Sequence, residues 1–313
     1  MNGTDVARPK VTVVGAGNVG ATAASLILIK DLADVVLIDI ADGLAKGKAL
    51  DLMHMRANER YESVITGTGD YADTAGSDTV VVTAGVPRKP GMTREDLLGV
   101  NSGIVKSVLE GALPASPDAI YLFVTNPLDV MTNLAARISG LPSHRIFGMG
   151  GVLDSARFAS AISQETGAMP SEIDALVVGA HGQTMLPLPR FSTVRGKSIN
   201  ELLDPEALER VVSNTVNGGA EVVEYLQTGS AFYAPASSIV MMVKAILEDS
   251  GAVLSTCAYL DGEYGISGVY MCVPARLGNK GVQEIVELDL DEQERAALRE
   301  SAAQIAEQVA SLG

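Results

Sequence analysis

The chain has no tryptophan, three histidines and two cysteines in 313 residues. Cys257 and Cys272 are too few for a disulfide scaffold and read as reduced, buried thiols. No apolar stretch reaches the roughly 18 residues that a membrane span needs. The N-terminus, MNGTDVARPK, lacks the apolar stretch of a secretory signal. Residues 1–9 are therefore expected to be a flexible tail on a cytoplasmic protein. Basic residues are in deficit: 23 Lys and Arg against 38 Asp and Glu leave a net charge of −15. That balance argues against nucleic acid, which selects basic surfaces. It would also repel an anionic substrate unless arginines gather locally. With 47% hydrophobic and 19% charged residues the composition is that of a compact fold, not of a disordered chain. A chain of this length outgrows a single core, so two domains are expected.

The strongest motif is Gly15-Ala16-Gly17-Asn18-Val19-Gly20, between an apolar run at 11–14 and an Ala-rich apolar segment at 21–29. A G-x-G-x-x-G match carries meaning only in that setting, with a strand before it and a helix after it. The first glycine permits a tight turn, the second lets backbone approach a pyrophosphate, and the third lets helix and strand pack closely. Phosphate charge then meets free N–H groups at the helix N-terminus. A second apolar run ends in Asp39, about 20 residues after the last glycine. A carboxylate there accepts hydrogen bonds from a ribose 2′-hydroxyl and repels a 2′-phosphate, which favours NAD over NADP.

Short β-branched runs at 11–14, 34–39, 64–67, 79–83, 119–124 and 146–149 alternate with helical segments at 19–30, 43–57, 94–111 and 128–138. This alternation predicts βαβ units and a Rossmann-type, doubly wound parallel sheet. The second half reads as mixed α+β: helix 152–166, strand 173–178, a hairpin 191–199 turning at Arg195-Gly196, helices 205–227 and 236–249, a three-strand meander between 253 and 288, and a helix 292–311 capped by Asp291. A cofactor domain over 1–150 and a substrate domain over 151–313 are expected.

Of the histidines, His54 lies in a helix-like segment and reads as a packed or interface residue, and His144 falls in a loop. His181 follows a buried-strand pattern and is flanked by Gly179 and Gly182, which leave room for a ligand. An imidazole there suits acid–base work near neutral pH, particularly if a carboxylate fixes its tautomer. Asp154 is the candidate partner. It shares a helix face with Arg157, and a local surface ion pair is the alternative. Arg88 and Arg94 sit in a Gly/Pro-rich segment after the strand at 79–83, where a doubly wound fold lines its ligand crevice. Such a loop suits closure over an anion, although solvated basic loops are common. Asn126, before Pro127, either bonds a ligand or simply starts a turn. No metal is expected.

In combination, GAGNVG, Asp39, AGVPRKPGMTREDL, VTNPLDV, GVLDSAR and VGAHGQT resemble the lactate/malate dehydrogenase superfamily over nearly the whole chain. The resemblance is greatest to its lactate-dehydrogenase-like malate dehydrogenases. It implies reversible oxidation of (S)-malate by NAD, with a dicarboxylate as the small-molecule partner. His181 would be the acid–base and Asp154 its carboxylate. Arg157 would grip the substrate carboxylate, Arg94 would polarise the reacting carbonyl, and Arg88 would pair the second carboxylate. Asn126 would contact substrate and nicotinamide, and Ala231 would leave pocket space. The glycine loop, Asp39, Asn101, Val124 and Thr125 would contact the cofactor. A homotetramer, or failing that a homodimer, is implied. Lactate dehydrogenase is the nearest alternative, and Arg88 speaks against it. A short-chain dehydrogenase would need Tyr-x-x-x-Lys, which is absent. An NAD-sensing regulator would need no His181, Asp154 and arginine set.

Overall fold

In the computed structural model, residues 8–87 and 93–312 are described, apart from the side chain of Arg94. The first half runs β1 (Lys10–Val14), α1 (Asn18–Ile29), β2 (Asp34–Ile38), α2 (Asp42–Glu59), β3 (Ile65–Thr68), β4 (Thr79–Val82), α3 (Arg94–Ala115), β5 (Ile120–Phe123), α4 (Leu128–Ser139) and β6 (Ile146–Gly148). Its six strands pair in parallel in the order 3-2-1-4-5-6. The order reverses between β1 and β4, so the crevice of this doubly wound sheet opens at the carboxyl ends of those two strands. That is where the glycine loop begins.

The second half continues with α5 (Gly151–Thr166), β7 (Ile173–Asp174), β8 (Val177–Gly179), β9 (Met185–Pro187), β10 (Thr193–Val194), β11 (Lys197–Ser198), α6 (Ile199–Leu202), α7 (Pro205–Leu226), α8 (Tyr233–Leu247), β12 (Ala252–Asp261), β13 (Ser267–Gly278), β14 (Gly281–Ile285) and α9 (Glu292–Ala310). β12 pairs antiparallel with β6, so strands of both halves share one eleven-stranded sheet. β7, β10 and β11 make a separate small sheet.

Three expectations change here. Residues 173–178 are not one strand. β7 belongs to the small sheet and β8 to the large one, because the backbone of Leu176 is taken by Ser192 and Leu188 instead of a ladder. Met185–Pro187, between the expected strand 173–178 and the expected hairpin 191–199 with no element assigned to it, pairs with β8. Arg8, placed in the flexible tail, donates to Asp31 at 2.9 Å and Ser63 at 3.1 Å, and Pro9 accepts from the Asp34 N–H. Residues 1–7 lie outside the described residues. Asp291 caps α9 as expected, accepting from the N–H groups of Gln293 and Glu294.

α1 carries no charged side chain. It is buried between the sheet and α8, where Ala24, Ile27 and Leu28 pack with Ile239, Val243 and Ile246. Leu98, Val105 and Leu109 of α3, with Met131 and Leu134 of α4, cover the other face of the sheet. Among the described residues, no helix is long and apolar enough to cross a membrane.

Candidate active site

The site is assembled at the ends of β1, β4, β5 and β8. Gly15 turns the chain at φ +104°, a conformation that strongly favours glycine. A methyl group on Gly20 would stand 1.9 Å from the Gly15 carbonyl oxygen, so only hydrogen lets α1 start this close to β1. Gly17 is different: a methyl group there would meet nothing within 4 Å. Packing within the chain therefore does not require its glycine, whereas close approach of a ligand does. No side chain caps α1, leaving its first N–H groups for an anion. Gly20→Ala is expected to lower stability by about 1–3 kcal/mol through overpacking. It should also weaken NADH binding, both read in a thermal melt with and without NADH.

Asp39 accepts from the Ala16 N–H at 2.7 Å and the Ala41 N–H at 2.9 Å. Lys48 donates to the Ala16 carbonyl at 2.7 Å. Asp39 is thus also a brace for the glycine loop, a second role that its spacing did not reveal.

A cleft of about 470 Å³ runs from the glycine loop past Thr83–Pro87, Asn101 and Val124–Asn126 to His181 and Gly229–Phe232. Gly15, Ala16, Asp39, Asp154 and Arg157 are not among its lining residues; it brings Gly17, Asn18, Val19, Gly20, Asn101, Val124, Thr125, Asn126, His181 and Ala231 together. Two of these residues do structural work as well. The Thr125 hydroxyl donates to the Ala84 carbonyl at 2.6 Å. The buried Asn101 carboxamide accepts from Val86 N–H at 2.9 Å and donates to the carbonyls of Asn126 at 2.6 Å and Val86 at 3.2 Å. It ties the loop after β4 to the loop after β5. Arg88 lies outside the described residues, as does the side chain of Arg94. The backbone of Arg94 opens α3, behind a capping box made by Thr93 and Asp96.

His181 follows β8. Its N–H donates to Asp129 Oδ2 at 2.7 Å, and the preceding Ala180 N–H donates to Ser301 Oγ at 2.8 Å. Nδ1 lies 2.8 Å from Asp154 Oδ2. A carboxylate only accepts, so Nδ1 carries the proton and Nε2 keeps its lone pair. The other oxygen of Asp154 takes Arg157 Nη1 at 3.1 Å. Asp154 is 1% exposed, which makes it the buried bridge between an imidazole and a guanidinium and not half of a surface pair. Burial pushes the His181 value down, but the charge and hydrogen bond of Asp154, with Asp129 behind, outweigh it. The net is a value above the ordinary histidine range. The Arg157 guanidinium lies along α7, where a methyl group on Gly219 would stand 3.2 Å from its Nη2.

Asp129, Ser301 and the Gly218-Gly219 pair were not singled out from the sequence. A carboxylate set among Pro127, Leu128, Val130 and Met131 was the available signal for Asp129; the others are contacts across the fold. His54 and His144 are exposed and far from any of these groups in role.

A family model described as lactate/malate dehydrogenase, NAD binding domain, matches residues 9–148. A second, described as lactate/malate dehydrogenase, alpha/beta C-terminal domain, matches residues 151–312. A malate dehydrogenase of Synechocystis sp. is 54% identical over 293 residues, which are 94% of this chain and 90% of that protein. The solved malate dehydrogenase of Salinibacter ruber superposes with a TM-score of 0.93 at 43% identity, over 97% of each chain. A lactate dehydrogenase of Cryptosporidium parvum, solved with lactic acid and nicotinamide adenine dinucleotide, superposes with a TM-score of 0.95 at 39% identity, over 98% of each chain. Shape alone does not separate the two substrates.

Proposed function

The chain belongs to the lactate/malate dehydrogenase family, and on that footing we propose how its site interconverts (S)-malate and oxaloacetate with NAD. The observation that carries the assignment of roles is the buried Asp154 carboxylate shared between His181 and Arg157. The glycine loop and the open N-terminus of α1 fit the cofactor pyrophosphate, and Asp39 fits its ribose. When bound, NAD accepts hydride from C2 of malate. His181 Nε2 takes the hydroxyl proton, and Asp154 stabilises the imidazolium that results. Arg157, with four further N–H groups besides the one held by Asp154, grips the substrate carboxylate. Arg94 stabilises the carbonyl oxygen as it gains or loses charge. Arg88 pairs the distal carboxylate. Three arginines in these roles would offset, at the site, the repulsion of a chain with net charge −15. NADH oxidation with oxaloacetate and with pyruvate tests the substrate: a higher kcat/KM with pyruvate would overturn malate.

Gly219→Ala separates binding from folding. The methyl group would meet the movable end of Arg157, not backbone. Alanine in mid-helix is also worth about 1 kcal/mol over glycine. The expected variant is as stable as the parent or more so, and has a raised KM for malate and unchanged NADH affinity. A raised KM accompanied by a lowered melting temperature would mean damage to α7 instead.

The same reading divides the chain near residue 150, places it in the cytoplasm and assembles it as a homotetramer. Two free, buried cysteines suit a reducing compartment. Leu44 and Leu50, on α2, are 44% and 59% exposed in the single chain, which suits a face covered by another subunit. Light scattering distinguishes a tetramer from a dimer.

A further inference from the structure

Asp129 is a buried, titratable group that the reaction as described leaves without a part. It sits in the first turn of α4, two residues after Pro127, and is 5% exposed. One oxygen accepts the main-chain N–H of His181 at 2.7 Å. The other is 3.4 Å from Cys257 Sγ on β12, whose thiol burial holds far above its ordinary value, so that sulfur is a donor. One carboxylate thus joins the helix that begins beside Asn126, the loop that carries His181 and the strand shared between the halves. A helix N-terminus alone would favour a carboxylate here by at most about 1 kcal/mol at a surface. Burying one against a catalytic loop costs more than that unless its hydrogen bonds are met.

We infer that Asp129 is a positioning residue for His181: it pins the histidine backbone so that Nδ1 reaches Asp154, and its negative charge helps hold the proton on the imidazole. This rests on the assignment of His181 as the acid–base. The other charged or titratable groups against this pair, among the described residues, are Asp154 and Arg157 from α5, Cys257 from β12 and Cys272 from β13. Asp154 acts on the ring in the same direction as Asp129, and Arg157 opposes both. Burial pushes the Asp129 carboxyl up to about 6, with the His181 charge, its N–H and the Cys257 thiol restraining the rise. Each group lies in the field of the other, so the two titrations are coupled.

Asp129→Asn keeps an oxygen to accept the His181 N–H and removes the charge. Removing a negative charge disfavours imidazolium, so the pKa of His181 should fall, by about one pH unit. Two readouts apply. The acid limb of kcat/KM for malate oxidation should move to lower pH by that amount. Independently of turnover, protein labelled with 15N-histidine should show the same displacement in the His181 ring signal. With three histidines in the chain, that signal is the one lost in His181→Gln. If the ring midpoint stays where it is in the parent, the proposal is overturned, even if kcat falls, because a merely structural role lowers activity at every pH alike. If His181→Gln keeps its turnover, the acid–base assignment fails while the ring titration still judges Asp129. Should Asp129→Asn not fold, the parent decides. The His181 amide, bonded directly to Asp129, should show an inflection near pH 6, and its absence would overturn the coupling.

Discussion

His181→Gln should lower kcat for malate oxidation by about 10²–10⁴-fold, the usual contribution of a positioned general base. That is roughly 3–5 kcal/mol of transition-state stabilisation. Glutamine fills similar space and can still bond Asp154, so the loop between β8 and β9 keeps its shape. NADH should bind as tightly as before, and the absence of tryptophan leaves its fluorescence easy to read. Turnover retained within about tenfold would place the proton acceptor elsewhere. The parent enzyme carries a linked signature in pH. On the proposed role, oxidation needs neutral His181, and the Asp154 charge and hydrogen bond, outweighing burial, raise its value above the ordinary 6.5. The acid limb of kcat/KM for malate should therefore lie above that value. Reduction of oxaloacetate needs the protonated ring and should fall as pH rises through the same point. Because the folded value is raised, His181 stabilises the fold below its unfolded value. That contribution fades as pH rises through the folded one.

Arg88→Gln should turn substrate choice around. On the proposed role, arginine at 88 would pair the second carboxylate of oxaloacetate, whereas pyruvate would offer it a methyl group and leave its charge unpaired. With glutamine the mismatch reverses. Sites built around a buried polar partner discriminate far more steeply than apolar pockets. The ratio of kcat/KM for oxaloacetate over pyruvate is expected to fall by about 10²–10⁴-fold. The measurement is NADH oxidation with each substrate, for parent and variant. An unchanged ratio would remove Arg88 from its role, even with malate as the substrate. Ala231 lines the cleft in either case.

Local chemistry was legible in advance where neighbours in sequence are neighbours in space. Gly15, Gly17 and Gly20 sit within one turn and one helix start, so their spacing, with the apolar runs on either side, was enough to read a dinucleotide loop. The Asp291 cap needed only the N–H groups of Gln293 and Glu294. The alternation of β-branched runs with helical segments was enough for the parallel sheet, since a right-handed βαβ unit leaves few topologies. The run from Ile173 to Val178 was misread for the same reason. Its composition is that of one strand, and only the crossing of two sheets, at Leu176, breaks it.

Asp154 and Arg157 could be paired from helical spacing, but whether that pair is solvated or buried depends on α7 and the loop after β8. That His181 meets Asp154 through Nδ1, and Asp129 through its backbone, requires α5, α4 and β8 to converge, three segments whose order in the chain carries no such information. α1 was legible as an apolar helix after the glycine loop, yet not that α8 would cover it. By itself, then, the sequence determined which residue types stand at the strand ends and, through the glycine loop and Asp39, the class of cofactor; the dicarboxylate came from the family resemblance. Tertiary structure alone decided which carboxylates lose their water. Whether Asp154 makes a solvated surface pair or a buried bridge is set by the desolvation that long-range packing imposes.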